Sequence, residues 1–270
     1  MKKFAGRVAV VTGAGSGMGR AISLELAGRG CNIALVDINQ EGLEESARRV
    51  SDLGQQASCH VVDVSNKEQL QALPEAVLAR HKAVHILVNN AGVSVGKPFL
   101  EQSVEDLEWI TGINYWGVLY GCKFFLPHLL AQDEAHIVNL SSSAGLTGMS
   151  SQSSYAATKF AVRGFSESLY VELAGTNVGI TCVHPGAVAT NILNSSRMDA
   201  GDKEKMKKGF EKIAMAPEKA ALLIVNSIEK ERFKLVFCVE SRMFEFVRRF
   251  SPVGILKMMR VFQKRKSRQS

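Results

Sequence analysis

Tyr155 and Lys159 stand four residues apart in a run with helical spacing, introduced by Ser150, Ser151, Gln152, Ser153 and Ser154. Residues at i and i+4 share a helix face, so a phenol and an ammonium would project together. A phenol of pKa about 10 is a poor base at neutral pH, and bringing it near 7 takes about 4 kcal/mol of preference for phenolate. A neighbouring cation favours the phenolate and so pulls in that direction. The base so made could take a carbinol proton while hydride leaves carbon. Ser142 follows an apolar run and could hydrogen-bond the same substrate oxygen, although Ser141 and Ser143 are its immediate rivals. Tyr115, Tyr120 and Tyr170 lack a lysine at this spacing and read as packing residues.

Hydride chemistry needs a carrier, and the first thirty-seven residues offer a place for one. The run Thr12-Gly13-Ala14-Gly15-Ser16-Gly17-Met18-Gly19 follows an apolar strand pattern and opens an amphipathic helix. Glycines there permit a tight turn and let backbone N–H groups approach a pyrophosphate at the helix N-terminus. The next apolar strand ends in Asp37, eighteen residues beyond Gly19. A carboxylate at that place accepts from ribose hydroxyls and repels a 2′-phosphate, so NAD is expected over NADP. Ser16 and Ile38 bring no cation to a 2′-phosphate, although Arg20 is close in sequence. The plainer reading of Asp37 is a helix cap.

These residues must be positioned by a scaffold, and the hydrophobic pattern describes it. Apolar runs at Arg7–Thr12, Asn32–Asp37, Ala57–Val62, His85–Val88, Ala135–Leu140, Gly179–His184 and Lys234–Val239 alternate with segments of 3.6-residue spacing. Runs apolar throughout imply strands covered on both faces, hence an α/β, doubly wound (Rossmann-type), seven-stranded and mainly parallel sheet with helices on both sides. Ser103–Leu130 and Tyr155–Ala174 read as the two long helices, with Pro127 kinking or ending the first. Residues 188–214 are polar and charged after a strand end, and read as a substrate lid of short helices, or more plainly as a surface loop.

The ordered set of motifs resembles the classical short-chain dehydrogenase/reductase family from about Gly6 to Val239. It comprises the Thr-Gly-x-x-x-Gly-x-Gly turn, Asp63-Val64, Asn89-Asn90-Ala91-Gly92, Asn114, Ser142, Tyr155…Lys159, and Pro185-Gly186 followed by Thr190. The resemblance implies an NAD-dependent enzyme interconverting a secondary alcohol and a ketone. By its pattern the serine thirteen residues before the tyrosine, Ser142, orients the substrate oxygen, with Tyr155 as general acid/base. Lys159 activates the phenol and holds the nicotinamide ribose, and Asn114 supports a proton relay through water. It further implies that Gly13, Ser16, Gly17, Met18 and Gly19 hold the pyrophosphate. Asp63 and Val64 would flank the adenine, Asn90, Ala91 and Gly92 line the cofactor path, and Pro185, Gly186, Val188 and Thr190 lie at the nicotinamide. A departure from the pattern is that the last apolar run continues into about thirty further residues. That makes a homodimer through the two long helices the expected assembly, rather than a tetramer closed by the last strands.

The remaining features bound the function. The chain of 270 residues is long enough for one domain, 1–240, with an extension, 241–270. The extension holds nine Lys/Arg and one Glu, a net +8, whereas the first 240 residues are net −1. A nucleic-acid footprint over the domain is therefore not expected. Met243, Phe244, Phe246, Val247 and Phe250 precede Pro252 at helical spacing, and a second apolar cluster follows it among Lys257, Arg260 and Lys264. Such a basic amphipathic segment could cover the cleft or a subunit interface, or could lie on an anionic membrane surface. Five scattered cysteines fit a reducing, cytoplasmic setting. His81 and His85 share a helix spacing but have no third ligand nearby, and no metal is expected. No apolar run is long enough to cross a membrane, and Lys2, Lys3 and the short run Val8–Val11 do not make a secretory signal. The segments Gly92–Phe99 and Leu146–Ser151 and the lid, mostly small or apolar, suggest a hydrophobic alcohol or ketone. Two other classes stay open: an NAD sensor without turnover, which would have no use for an activated phenol, and a membrane-docked scaffold.

Overall fold

This computed structural model describes residues 1, 3–201, 203–204, 209 and 214–266. Parts of the expected lid, among them 205–208 and 210–213, lie outside the described residues.

Seven strands form one sheet in the order β3-β2-β1-β4-β5-β6-β7, with every neighbouring pair parallel. They are β1 (Val8–Thr12), β2 (Asn32–Asp37), β3 (Ala57–Val61), β4 (Ile86–Asn89), β5 (Ala135–Leu140), β6 (Val178–His184) and β7 (Lys234–Val236). Every residue of β1, β4 and β5 is buried, the polar His136, Asn139 and Asn89 included, whereas the edge strand β3 is half exposed. One core layer joins the sheet to α1 (Gly17–Gly28), α2 (Gln40–Asp52) and α7 (Pro217–Glu229) through Ile22, Leu26, Leu43 and Ile224. The opposite layer packs α3 (Lys67–His81), α5 (Gly117–Leu130) and α6 (Ser153–Glu172) through Leu73, Phe125 and Val162. Burying each such side chain stabilises the fold by about 1.5–3 kcal/mol.

Strands are added outward in one direction from β1 and in the other from β4, and at this switch point a crevice opens beyond their carboxyl ends, at the glycine turn. The expected first long helix is divided. Its pieces are α4 (Val104–Thr111), a single π-turn at Gly112–Trp116 and α5. Pro127 does not end it, since Pro127 lies inside α5. A π-turn inserts one residue into the helical ladder and re-aims the side chains on it, here Asn114.

The last strand is shorter than the apolar pattern suggests. β7 stops at Val236, Cys238 takes a positive φ of 69°, and α8 (Val239–Phe250) begins at once, followed by α9 (Gly254–Lys266). Val239 is therefore helical, and the extension begins inside what reads in sequence as strand.

Candidate active site

The helices that start near the sheet's carboxyl edge differ in how their N-termini are capped. Asn39 caps α2 and Asn66 caps α3, while Ser103 and Asp106 form a capping box on α4. At α1 the Ser16 side chain makes no cap bond, and no acidic residue stands in the first turn. Its N–H groups and the helix dipole thus face the crevice without a side-chain acceptor, which suits an anionic pyrophosphate. The approach is close. A Cβ at Gly19 would lie 2.0 Å from the Gly13 carbonyl oxygen, and Gly13 and Gly17 adopt φ values of +67° and +51°. Only glycine meets all three demands. The donor groups, turn and dipole therefore fit a dinucleotide.

The turn is braced from behind. Thr12 Oγ1 accepts from the backbone N–H groups of Asn90 and Ala91, both at 3.0 Å, and the Asn90 amide donates to the Thr12 carbonyl at 2.9 Å. Asp37 Oδ2 accepts from the Gly15 N–H at 2.9 Å, so the carboxylate stands at the loop as its position in sequence implies. Arg20 turns away beneath the loop, donating to Ser46 Oγ at 2.9 Å and to the carbonyls of Gly15 and Gly42. Further along the edge, Asp63 Oδ1 accepts from the N–H and hydroxyl of Ser65, and buried Val64 packs against Gly117.

The carboxyl ends of β5 and β6 carry the reacting end. Ser142 heads a short helical turn, and α6 brings Tyr155 and Lys159 across from it. The Tyr155 phenol faces Ser142, whose hydroxyl favours the ionised phenol. Lys159 is 4% exposed; its Nζ donates to the Leu140 carbonyl at 2.9 Å and lies 5.8 Å from the Tyr155 ring centroid. Burial lowers the ammonium to about 8. Burial also pushes the phenol above its ordinary value, with the Ser142 hydroxyl acting against that. Within the protein alone, then, desolvation outweighs activation of the phenol. Of the rival serines, the Ser141 hydroxyl is otherwise engaged. Ser141 Oγ donates to the Lys159 carbonyl at 2.8 Å, locking α6 to β5, and the Ser143 N–H donates to the Pro185 carbonyl.

Asn114 is completely buried and stands behind this floor. Its Oδ1 accepts from the Val93 N–H at 2.8 Å, and its Nδ2 donates to the Val93 carbonyl and to Thr158 Oγ1. Gly92 lies between the two groups: a Cβ there would meet Asn114 Oδ1 at 3.3 Å and Lys159 Nζ at 3.4 Å. His184 is also buried, with Nδ1 bonded to the Ser142 carbonyl, and burial lowers it to about 4. It is a neutral brace at physiological pH.

Ser142, Tyr155, Lys159, Asn90, Gly92, Met18, Pro185, Gly186, Val188 and Thr190 share one cavity of about 580 Å³. Gly13, Gly17 and Gly19 adjoin it, and Asp37, Asp63 and Val64 continue along the edge, whereas Asn114 supports it from outside. The pair His81 and His85 diverges. His81 bonds Ser58 on β3 and His85 Nδ1 accepts from the Val8 N–H, so the two rings do not face one space.

Two groups escape a reading of the sequence. Glu240, in the first turn of α8, reaches back fifty-three residues to accept from the Ala187 N–H at 2.7 Å, and it lines the cavity with Gln263. The lid region is also more tightly held than its polar sequence suggests. Arg197 exchanges backbone bonds with Ser94 and Gly96, pairs with Asp106 at 3.0 Å and lies over Trp109, while Ala187, Ala189 and Met215 close its base.

A model of the short-chain dehydrogenase family matches residues 7–201 of this chain. The chain belongs to that family. This short-chain dehydrogenase is 39% identical over 254 residues to SadH of Mycobacterium tuberculosis, named as an oxidoreductase, covering 92% of both chains. It is 40% identical to the human epidermal retinol dehydrogenase 2 over 172 residues, which are 63% of this chain and 56% of that one. Among solved structures, a short-chain dehydrogenase/reductase of Burkholderia phymatum in complex with NAD superposes with a TM-score of 0.84. The two are 31% identical, over 100% of this chain and 97% of that one. An alcohol dehydrogenase of the archaeon Thermococcus sibiricus, complexed with 5-hydroxy-NADP, gives 0.75 at 27% identity, over 86% and 95%. The oxidoreductase family and a nicotinamide cofactor follow from these matches together with the site.

Proposed function

We propose that this short-chain dehydrogenase interconverts a hydrophobic secondary alcohol and its ketone with NAD, using Ser142, Tyr155 and Lys159. The observation that carries the reading is the convergence of those three side chains in one cavity next to the uncapped N-terminus of α1. When bound, NAD would supply the hydride acceptor for the carbinol carbon and an added positive charge at the site. The protein's residues manage the proton and the oxygen. Ser142 holds the substrate oxygen, and Tyr155 Oη takes the hydroxyl proton as the carbon–oxygen double bond forms. Reduction runs the same steps backwards, with Tyr155 as donor.

Burial alone favours neutral tyrosine, so phenolate must be stabilised by positive charge gathered at the site. Lys159 supplies such a charge below pH 8. Asn114, fixed on Val93 and lying with Lys159 against Gly92, would anchor a water-borne proton path from the lysine.

Two residues support the preference for NAD. Asp37 presents its carboxylate at the Gly15 turn, and Arg20 directs its donors to Ser46, Gly15 and Gly42 instead of facing a 2′-phosphate. An apolar substrate is supported by Ala144, Met149, Ala187, Val188, Ile192 and Leu193 around the cavity. Pairing of two copies through α5 and α6 is part of the proposal, since Trp116, Tyr170 and Val171 leave apolar surface outward on and beside them. A panel of secondary alcohols, assayed by nicotinamide absorbance with NAD and with NADP, tests the reading. Turnover of apolar members with NAD at the higher kcat/KM supports it, while a preference for NADP overturns the role given to Asp37.

A further inference from the structure

The extension is turned the wrong way round for a simple cover over the site. Helix α8 is attached by a polar face: Ser241 is fully buried, Glu245 pairs with Lys234, and Arg248 donates to the Leu146 carbonyl and stacks on Phe160. The opposite face is apolar. Val239, Met243, Phe246 and Phe250 recur at i, i+4, i+7 and i+11, which puts them on a single stripe, and they are 83%, 49%, 67% and 71% exposed. A surface helix folded only to cover a core would have these faces reversed. Val253 extends the apolar stripe into the turn, and Leu256, Met258 and Val261 of α9 are also exposed. Arg242 and Arg249, seven apart and both exposed, run beside the stripe on one flank, and exposed Lys257 and Arg260 continue the basic character in α9.

We propose that this face docks on an anionic lipid surface, with α8 lying in the interface plane and its phenylalanines in the acyl boundary. An exposed apolar stripe beside a row of arginines matches such a surface in both hydrophobicity and charge. A second copy of the chain fits less well, because the extension carries a net +8 and two of them face to face would repel. Docking also has a consequence for the site. Glu240 and Gln263 of the two extension helices line the cavity, so its rim lies next to the lipid and an apolar alcohol could enter without crossing water.

The test is co-sedimentation of the full chain with vesicles of phosphatidylcholine alone and with about one-third phosphatidylserine. The expected result is partition to the anionic vesicles, weakened by high salt. The double variant Phe246→Glu/Phe250→Glu, and separately Arg242→Glu/Arg249→Glu, should each lose about tenfold or more in the partition coefficient. Both should keep the wild-type unfolding temperature, because all four side chains face away from the domain. Retention of the wild-type protein in the supernatant with anionic vesicles overturns the proposal. So does equal partition of both variants and wild type. If instead the phenylalanine variant alone turns a larger particle into a smaller one in sedimentation velocity, without vesicles, the stripe joins two copies and lipid docking is rejected.

Discussion

The two halves of the site are built differently. On the β1–α1–β2 side, the turn is formed by neighbours in sequence: three glycines with forced geometry, Thr12 behind them and Asp37 at the end of the next strand. On the β5–β6 side the same cavity is finished by partners far apart in the chain, with Glu240 reaching Ala187 and Arg248 reaching Leu146. The first half can be read from local spacing because a glycine required by a positive φ, or by a 2.0 Å approach, leaves its mark in sequence. The long-range contacts that finish the second half leave none, although Ser142, Tyr155 and Lys159 are legible there by type and spacing. A glutamate at a helix start is ordinary until tertiary packing sets it beside an unpaired N–H.

Substitutions in each half put this contrast to the test. Apart from loss of the phenol itself, the largest effect is expected at Lys159→Met, which should lose turnover by about a hundredfold or more and weaken NADH binding. Its stability should move the other way. The folded-state lysine is lowered to about 8 from its ordinary 10.5, so below pH 8 the folded chain carries a penalised buried charge. Between 8 and 10.5 the unfolded chain alone binds the proton, and wild-type stability rises with pH relative to the variant. The variant without cofactor is thus expected to be more stable at pH 7, by on the order of 3 kcal/mol before packing losses, with the gap closing towards pH 10.5. Thermal unfolding at about pH 7 and about pH 10 reads it; a wild-type-to-variant difference that does not shift towards the wild type as pH rises contradicts the buried charge.

Gly19→Ala comes next. Its Cβ cannot coexist with the Gly13 carbonyl, so the turn must open, and a loss of about 2–3 kcal/mol in stability together with loss of NADH affinity is expected. Calorimetry checks both, and unchanged affinity would show that the turn does not hold the cofactor. Glu240→Ala should be milder: it frees the Ala187 N–H and lowers kcat/KM about tenfold, while Glu240→Gln, which can still accept, restores most of it. Equal loss in both variants would place the carboxylate's charge, and not its hydrogen bond, in the reaction. The smallest effect is at Asp37→Ala, expected to narrow the NAD over NADP preference by about tenfold without touching kcat. Steady-state kinetics with both cofactors measures it.

Where the structure departs from the sequence pattern, the reasons are physical. Asn114 is legible as a residue but not as a buried brace, because the π-turn that aims it at Val93 has no signature in hydrophobic spacing. Pro127 has the chemistry of a helix break, yet it lies inside α5, where the surrounding packing tolerates it. The strand expected to run to Val239 ends at Val236, since residues apolar enough for a strand also suit the exposed stripe of α8. The lysine's help to the phenol is clear from residue type and spacing. Its desolvation is not, because burial is a property of the fold.

The proposed chemistry turns on Tyr155 Oη moving the proton while the rest of the site binds. The direct measurement is kcat and the NADH dissociation constant of Tyr155→Phe beside those of the wild type. Phenylalanine keeps the ring and removes only the oxygen that faces Ser142. The predicted result is a fall in kcat of roughly a hundred- to ten-thousandfold, with NADH affinity unchanged within about twofold. A variant that turns over at the wild-type rate would contradict it.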